Sequence, residues 1–496
     1  MKYVSTRSAE RKVDAAQAIV AGLSHEGGLY VPEEFPAIGA DRIEKMANLP
    51  YAARAKEILG AYLTDYTEEE LQQCVDGAYA PERFGGNPAP LEKVGGRFVL
   101  ELWHGPTHAF KDMALQMLPR LMTRAMKKTG VDKEVFILVA TSGDTGKAAL
   151  EGFRDVEGTQ VGVFFPVDGV SPAQRLQMVT QEGKNVHVCA VEGNFDDAQT
   201  GVKRIFGDDA FAKELAEKGY VLSSANSINW GRLVPQVAYY FSAYADLLAR
   251  GEIKMGDEVN FCVPTGNFGN ILAAYYAKRM GLPVGRLVCA SNSNNVLFDF
   301  IEQGVYNANR PFHKTTSPSM DILVSSNLER LLYELCGRKD GQVTQWMQAL
   351  KNGGVYTVDD NTHRALTESF DAGWADDEKA AETIRTVRDA HGYTMDPHTA
   401  VAWTVAEEYV KRTGDNRPMV VVSTASPYKF SRSVLTAIAG EGAAEGLDEF
   451  ACADKLEILS GMRMPASLRE LRGKAQRHKD VVAPADMIDE VRAWTK

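Results

Sequence analysis

The sequence predicts an α/β fold built on two doubly wound parallel or mixed sheets, preceded by an α+β segment. Three observations carry this. Short, continuous apolar runs recur: VFILVA (135–140), NFCVPT (260–265) and MVVVST (419–424). Such runs, rich in β-branched residues and without alternation, mark strands covered on both faces. Each leads through a glycine- or serine-rich turn (TSGDTG, GNFGN, ASPYKF) into a helical pattern. Strand, turn and helix in that order are the units of a parallel sheet, and ligands bind such sheets at the carboxyl ends of the strands.

Residues 1–95 mix helix and loop signals and are expected to form an N-terminal α+β domain. Residues 96–250 and 251–440 are the two expected α/β domains, and 441–496 a charged, helical appendage. The first α/β domain opens with FVLELW (98–103), a strand, then HGPTHAFKD (104–112), then MALQMLPRLMTRAMKK (113–128), a helix that Pro119 should kink.

Composition narrows the function. The chain has 496 residues, 45% hydrophobic and 24% charged, enough to bury a large core. Lys plus Arg is 55 and Asp plus Glu is 66, a net charge of 55 − 66 = −11. With no basic run, such a chain is not fitted to nucleic acid or to an anionic membrane. An anionic ligand must be held locally, by backbone amides and a few placed cations. Six scattered cysteines show no close spacing, so neither a disulfide framework nor a metal site is expected. The first residues, with Glu10 and Asp14, lack the apolar segment of a secretory signal, and no stretch approaches a membrane span. A cytoplasmic, reducing setting is the expectation.

Three turns are candidates for anion binding. In GNFGN, the amides of Gly266, Asn267, Phe268, Gly269 and Asn270 stand at a helix start, where glycine lets the backbone approach a phosphate. An ordinary strand-to-helix turn is the alternative. In TSGDTG, Ser142, Gly143, Asp144 and Thr145 open a second helix; taken alone, a plain N-cap explains them better. The glycine spacing and Ala148 after Lys147 rule out a Walker A loop, and no GxGxxG fingerprint is present. In NSINWGR, Asn226, Ser227, Asn229 and Arg232 gather amide, hydroxyl and guanidinium donors suited to a phosphate ester, or else form a polar loop.

Lys111, behind the apolar ring of Phe110, completes the set. Partial burial lowers a lysine's proton affinity and makes it a nucleophile for carbonyls, whereas a surface lysine paired with Asp112 would do nothing. A Schiff-base lysine together with a phosphate cradle on another strand is what pyridoxal phosphate requires. Thr424 in STASPYKF (423–430) offers a hydroxyl for the pyridine nitrogen, or caps a helix before Pro427.

Assembled in order, GLSHEGGLYVPEEFP, HGPTHAFKD, TSGDTG, NSINWGR, PTGNFGN, SPSMDILVSSNLERLLY, DPHTAVA and STASPYKF resemble the threonine synthase family, in its longer bacterial and fungal branch. The resemblance covers most of the chain. It implies a fold-type II pyridoxal-phosphate enzyme of the tryptophan synthase β-like kind, with an N-terminal domain ahead of the catalytic core. The implied reaction is the last step of threonine biosynthesis, a carbon–oxygen lyase reaction in which O-phospho-L-homoserine and water give L-threonine and phosphate. Elimination at the γ-carbon precedes water addition at the β-carbon. Lys111 matches the cofactor lysine, with Phe110 beside it; 266–270 match the phosphate turn and Thr424 the residue near the ring nitrogen. Ser142, Gly143, Asp144 and Thr145 match the loop for the substrate carboxylate, and Asn226, Ser227, Asn229 and Arg232 the contacts for its phosphate. The match departs at Ser426 and Tyr428, where the family motif carries a histidine and a small residue. Ser319 to Arg330, Asp396, His398 and Thr399 match motifs with no assigned role, and His104 and His108 are open between ligand contact and structural hydrogen bonding. The implied assembly is a monomer or homodimer.

Two rivals share these features. A serine or threonine dehydratase-like enzyme with the same cofactor would need no side-chain phosphate site, so Arg232 discriminates. A binding protein that kept the fold and lost the chemistry would have no use for Lys111. A nucleotide phosphotransferase is excluded by the missing Walker A and kinase glycine loops.

Overall fold

The computed structural model describes residues 1–141, 143–167 and 170–495. Its largest sheet has six strands, in the order Phe370–Trp374, Val284–Ser291, Val259–Pro264, Met419–Ser423, Arg97–Glu101, Leu91–Val94. All neighbours are parallel except the last pair. A second sheet is parallel throughout: Val481–Val482, Val186–Val191, Thr159–Pro166, Glu134–Ala140, Tyr220–Ser223. The predicted runs at 135–140, 260–265 and 419–424 are all strands, and the α/β architecture stands as expected.

Sheet membership does not follow chain order. The strand Arg97–Glu101 lies in the larger sheet with residues from far downstream, Phe98 opposite Val420 and Glu101 opposite Ser423. Its apolar run, buried on both faces, needs a parallel neighbour on one side. On the other it folds back antiparallel onto Leu91–Val94 through Gly95 and Gly96, both at positive φ. The C-terminal tail is also more than a helical appendage. Val481–Val482 add an edge strand to the second sheet, and Trp494 stacks within 5.0 Å of Phe164 and 5.3 Å of His187.

The N-terminal segment is a three-stranded antiparallel sheet with helices packed beside it. Buried Arg54 ties it to the long helix Trp230–Ala249, donating to Asp246 Oδ1 at 2.6 Å and Ser242 Oγ at 2.9 Å. Glu329 ties it to the larger domain, accepting from Arg7 Nη2 at 2.7 Å and Thr6 Oγ1 at 2.6 Å. All six cysteines are free and buried. Among the described residues no helix is long and apolar enough to cross a membrane.

Pro119 does interrupt its helix. Lys111–Leu115 and Leu118–Thr129 are separate helices, and Pro119 occupies the first turn of the second. A proline there loses no intrahelical bond, so the chain can bend just after Lys111. Gly152 explains how the helix Asp144–Phe153 crosses that bend. A β-carbon at Gly152 would lie 2.0 Å from the carbonyl oxygen of Leu115. The two backbones touch, and this crossing sets the spacing between Lys111 and Asp144. Gly152→Ala is therefore expected to lower stability by about 1–3 kcal/mol, the usual cost of overpacking. The check is a thermal melt against wild type, and an unchanged midpoint would contradict the crossing described here.

Candidate active site

Three neighbouring strands of the larger sheet end side by side. Arg97–Glu101 leads to the Lys111 turn, Met419–Ser423 to Thr424, and Val259–Pro264 to the glycine turn. The first two ends are stitched together by backbone bonds: Leu102 N donates to Ser423 O (3.0 Å), Phe110 N to Thr424 O (2.8 Å) and Ser426 N to His108 O (3.1 Å). His108 turns the chain at φ 60° to make this possible.

Lys111 is 9% exposed. It does not pair with Asp112. That carboxylate turns back to accept from Thr107 N (2.8 Å) and Thr107 Oγ1 (2.7 Å), pinning the turn that precedes the lysine. Gly105 leaves room for it, since a β-carbon there would lie 2.5 Å from Asp112 Cβ. Lys111 Nζ instead donates to Ser319 Oγ at 3.3 Å, lies 3.6 Å from Asp144 Oδ2, and stands 5.0 Å from the centre of the Phe110 ring. Burial lowers the lysine's pKa to about 8, with Asp144 opposing and Arg232 and Lys429 reinforcing the shift.

Asp144, read from the sequence as part of a carboxylate-receiving loop, has its side chain turned to cations. Lys429 Nζ meets Oδ1 at 2.6 Å, and Gln174 Nε2 donates to the same oxygen at 3.0 Å. Burial alone would raise this carboxyl, but Lys429 and Lys111 hold it well below the usual range. The loop is also tighter than expected. Thr141 Oγ1 accepts from both Gly143 N and Gly146 N at 2.9 Å, so those two amides are already engaged. Thr145 opens the helix beside them. Ser142 lies outside the described residues.

The glycine turn forms as predicted. Phe268, at φ 63°, caps the helix Gly269–Arg279, and the first turn of a helix leaves its amides without helical partners. At Gly266 a β-carbon would lie 2.6 Å from Ser319 O, so the turn packs directly on the residue that meets Lys111. Asn270 Oδ1 accepts from Tyr240 OH at 2.7 Å and from Tyr239 OH, while its buried Nδ2 has no partner among the described residues. Asn267 O is held by Asn327 N and Nδ2, both at 3.1 Å. A second fully buried arginine, Arg330, holds Asn327 in turn.

In NSINWGR the four expected contacts separate. Asn229 is fully buried and committed to the backbone: Oδ1 accepts from Gly231 N, and Nδ2 donates to Ile19 O and Ser224 O. It caps the long helix, and its amide hydrogens go to backbone carbonyls. Asn226 is half-buried in the same loop, and Ser227 Oγ lies 3.5 Å from Ser326 Oγ. Arg232 is 5% exposed and donates to Ala225 O at 2.7 Å. Among the described residues no carboxylate pairs with it, and burial lowers its pKa to about 10. A buried guanidinium without a counter-ion is the donor set an anion would complete.

Sequence reasoning left Ser319, His398 and Asp396 without roles, and the structure joins them. Ser319 N donates to His398 Nε2 (3.1 Å), so His398 carries its proton on Nδ1 and gives it to Asp396 Oδ2 (2.6 Å). Thr399 Oγ1 also donates to Asp396 and meets Ser423 Oγ at 2.9 Å. One carboxylate at a helix start thus braces both the Ser319 loop and the strand end before Thr424. Lys429 was missed too, although STASPYKF contains it; nothing in the spacing sets it apart from a solvated lysine. His104 bonds Glu101 (2.7 Å) and His108 bonds Ser467 (2.6 Å).

These residues fit an aldehyde cofactor with a phosphate tail. The buried Lys111 amine, the glycine turn packed on Ser319, and Thr424 lie at the ends of adjacent strands. The structure makes one pH dependence explicit. Burial raises the Asp112 carboxyl from 3.8 to about 6. A raised acid stabilises the fold below its unfolded value, and that contribution is lost as pH rises through 6. Wild type should therefore lose stability relative to Asp112→Asn between about pH 4 and 6, by a few kcal/mol, and then run level. Denaturant titrations of both proteins check this; parallel profiles would contradict it.

Comparison with known proteins gives a consistent result. Residues 2–79 match the family described as threonine synthase N terminus, 87–425 that of pyridoxal-phosphate dependent enzymes, and 399–493 threonine synthase, C-terminal. The chain is 40% identical over 456 residues to human threonine synthase-like 1, covering 88% of this chain but 60% of that protein. It is 40% identical over 449 residues to threonine synthase from Pseudomonas aeruginosa, covering 90% of this chain and 92% of that one. The crystal structure of PLP-bound threonine synthase from Brucella melitensis superposes with a TM-score of 0.88 at 38% identity, covering all of both chains.

Proposed function

The chain belongs to the threonine synthase family, and on that footing we propose that it converts O-phospho-L-homoserine and water to L-threonine and phosphate, with pyridoxal phosphate as cofactor. The observation that carries this is the buried Lys111 amine, set beside the glycine turn at the ends of three adjacent strands. Lys111 would hold the cofactor aldehyde, the amides of 266–270 its phosphate, and Thr424 its ring nitrogen. When bound, pyridoxal phosphate supplies an electron sink that stabilises charge left by proton loss next to the substrate amine.

The rest is the work of this chain's own side chains. Lys111, with a pKa of about 8, is poised to take a proton and to return it at neutral pH. Ser319 Oγ and Asp144 Oδ2 hold its nitrogen at 3.3 and 3.6 Å, so a released amine stays in place. Arg232 would receive the phosphate of the substrate. Thr145 and the amides of Asp144 and Thr145 would receive the carboxylate, since Gly143 N and Gly146 N are bound to Thr141 Oγ1. Lys111 itself is buried, and excluding water until the leaving group has gone protects the reaction.

A dehydratase acting on serine or threonine is the alternative. Arg232 favours the phosphate ester, because a buried cation without a carboxylate suits an anion that those substrates lack. The cytoplasm remains the proposed compartment, with a monomer or homodimer as the assembly.

Phosphate release from O-phosphohomoserine, with threonine measured in parallel, tests the reading. Lys111→Ala should lose at least about 10³-fold in turnover, within the range for removing a proton-transfer group. Arg232→Gln should raise KM by about 10- to 100-fold, the value of a charge-assisted contact. Threonine dehydration in place of phosphate release would favour the alternative.

A further inference from the structure

Lys429 has no part in the cofactor and substrate roles proposed above, yet it is 1% exposed. Its Nζ lies 2.6 Å from Asp144 Oδ1 and donates to Thr107 O at 3.0 Å. The other oxygen, Asp144 Oδ2, faces Lys111 at 3.6 Å and Ser319 Oγ at 3.5 Å. One carboxylate thus serves two lysines through separate oxygens. The short contact goes to the lysine that does no chemistry.

The arrangement has a physical consequence. A buried carboxylate with a single cationic neighbour holds that neighbour's proton, because losing it would strand the negative charge. With Lys429 on one oxygen, Asp144 stays compensated whether Lys111 is charged or neutral. We infer that Lys429 is a positioning residue for the proposed reaction: its fixed ammonium neutralises Asp144 and so frees Lys111 to release its proton within the site. This rests on reading Lys111 as the reacting amine.

The surroundings fit. Besides Asp144 and Lys429, Arg232 is the charged group acting on Lys111, and it pushes toward the neutral amine. Lys429 in turn acts on Asp112 and His108. Burial and Lys429 lower His108 to about 3, so it stays neutral and adds no competing charge at working pH. Thr107, which accepts from Lys429, is itself clamped by Asp112. The Lys429 ammonium is held at both ends of its hydrogen-bond reach.

The test measures the Lys111 proton directly, in the full-length protein without cofactor. Trace acetic anhydride is applied across about pH 6 to 10, and Lys111 acetylation is read from peptide masses. Wild type should give a midpoint near 8. Lys429→Gln keeps an N–H donor without charge and should move the midpoint up by about 1 unit or more, while Lys429→Arg should keep it within about half a unit of wild type. An unmoved midpoint in Lys429→Gln, or an equal shift in Lys429→Arg, would overturn the inference. Should Lys429→Gln fail to fold, the double variant Asp144→Asn/Lys429→Gln removes both charges as a pair. A midpoint within about half a unit of wild type then supports the inference, and a fall of about 1 unit or more overturns it. The proposed reaction fails separately, if a protein showing these shifts releases no phosphate from O-phosphohomoserine.

Discussion

Three backbone hydrogen bonds between residues 102–110 and 423–426 hold the site together. They fasten a turn from one strand to the end of its parallel neighbour, so that Lys111 and Thr424 are fixed relative to each other through main chain. Side-chain rotamers can then vary without moving either group far. Asp112, bound to Thr107, keeps the turn in shape, and the bend at Pro119 lets the following helix leave in another direction. Gly152 brings the second sheet's helix against that bend, and with it Asp144. The geometry of the candidate site is therefore a consequence of strand pairing and one helix crossing.

The electrostatics run against the protein's overall charge. The chain is formally −11, yet Lys111 and Lys429 share one carboxylate, Asp144, and Arg232 adds a further positive charge acting on Lys111. An acidic protein that must draw in an anionic substrate can do so only with such a local excess. Burying cations without partners is costly. The cost explains why Lys429 and Arg232 each spend donors on backbone carbonyls, Thr107 O and Ala225 O.

Much of this was readable in the sequence, for identifiable reasons. The strands showed because apolar runs covered on both faces have no other explanation, and the glycine turn because its spacing between strand and helix is distinctive. What the sequence hid was non-local. The pairing of 97–101 with 419–423 joins residues more than three hundred positions apart, and no periodicity records it. Asn229 looked like a ligand donor because an amide in a polar loop and an amide capping a helix are the same residue in the same context. Lys429 and Ser319 were visible as letters, but their contacts with Asp144 and Lys111 depend on how two sheets meet.

The central claim is that Lys111, and not the more deeply buried Lys429, is the amine that binds the cofactor aldehyde. Loading the protein with pyridoxal phosphate, reducing with borohydride and mapping the modified peptide decides between them. The geometry requires the pyridoxyl mass on Lys111, next to the glycine turn and free of a short ion pair. Modification of Lys429, or of neither lysine, would contradict it.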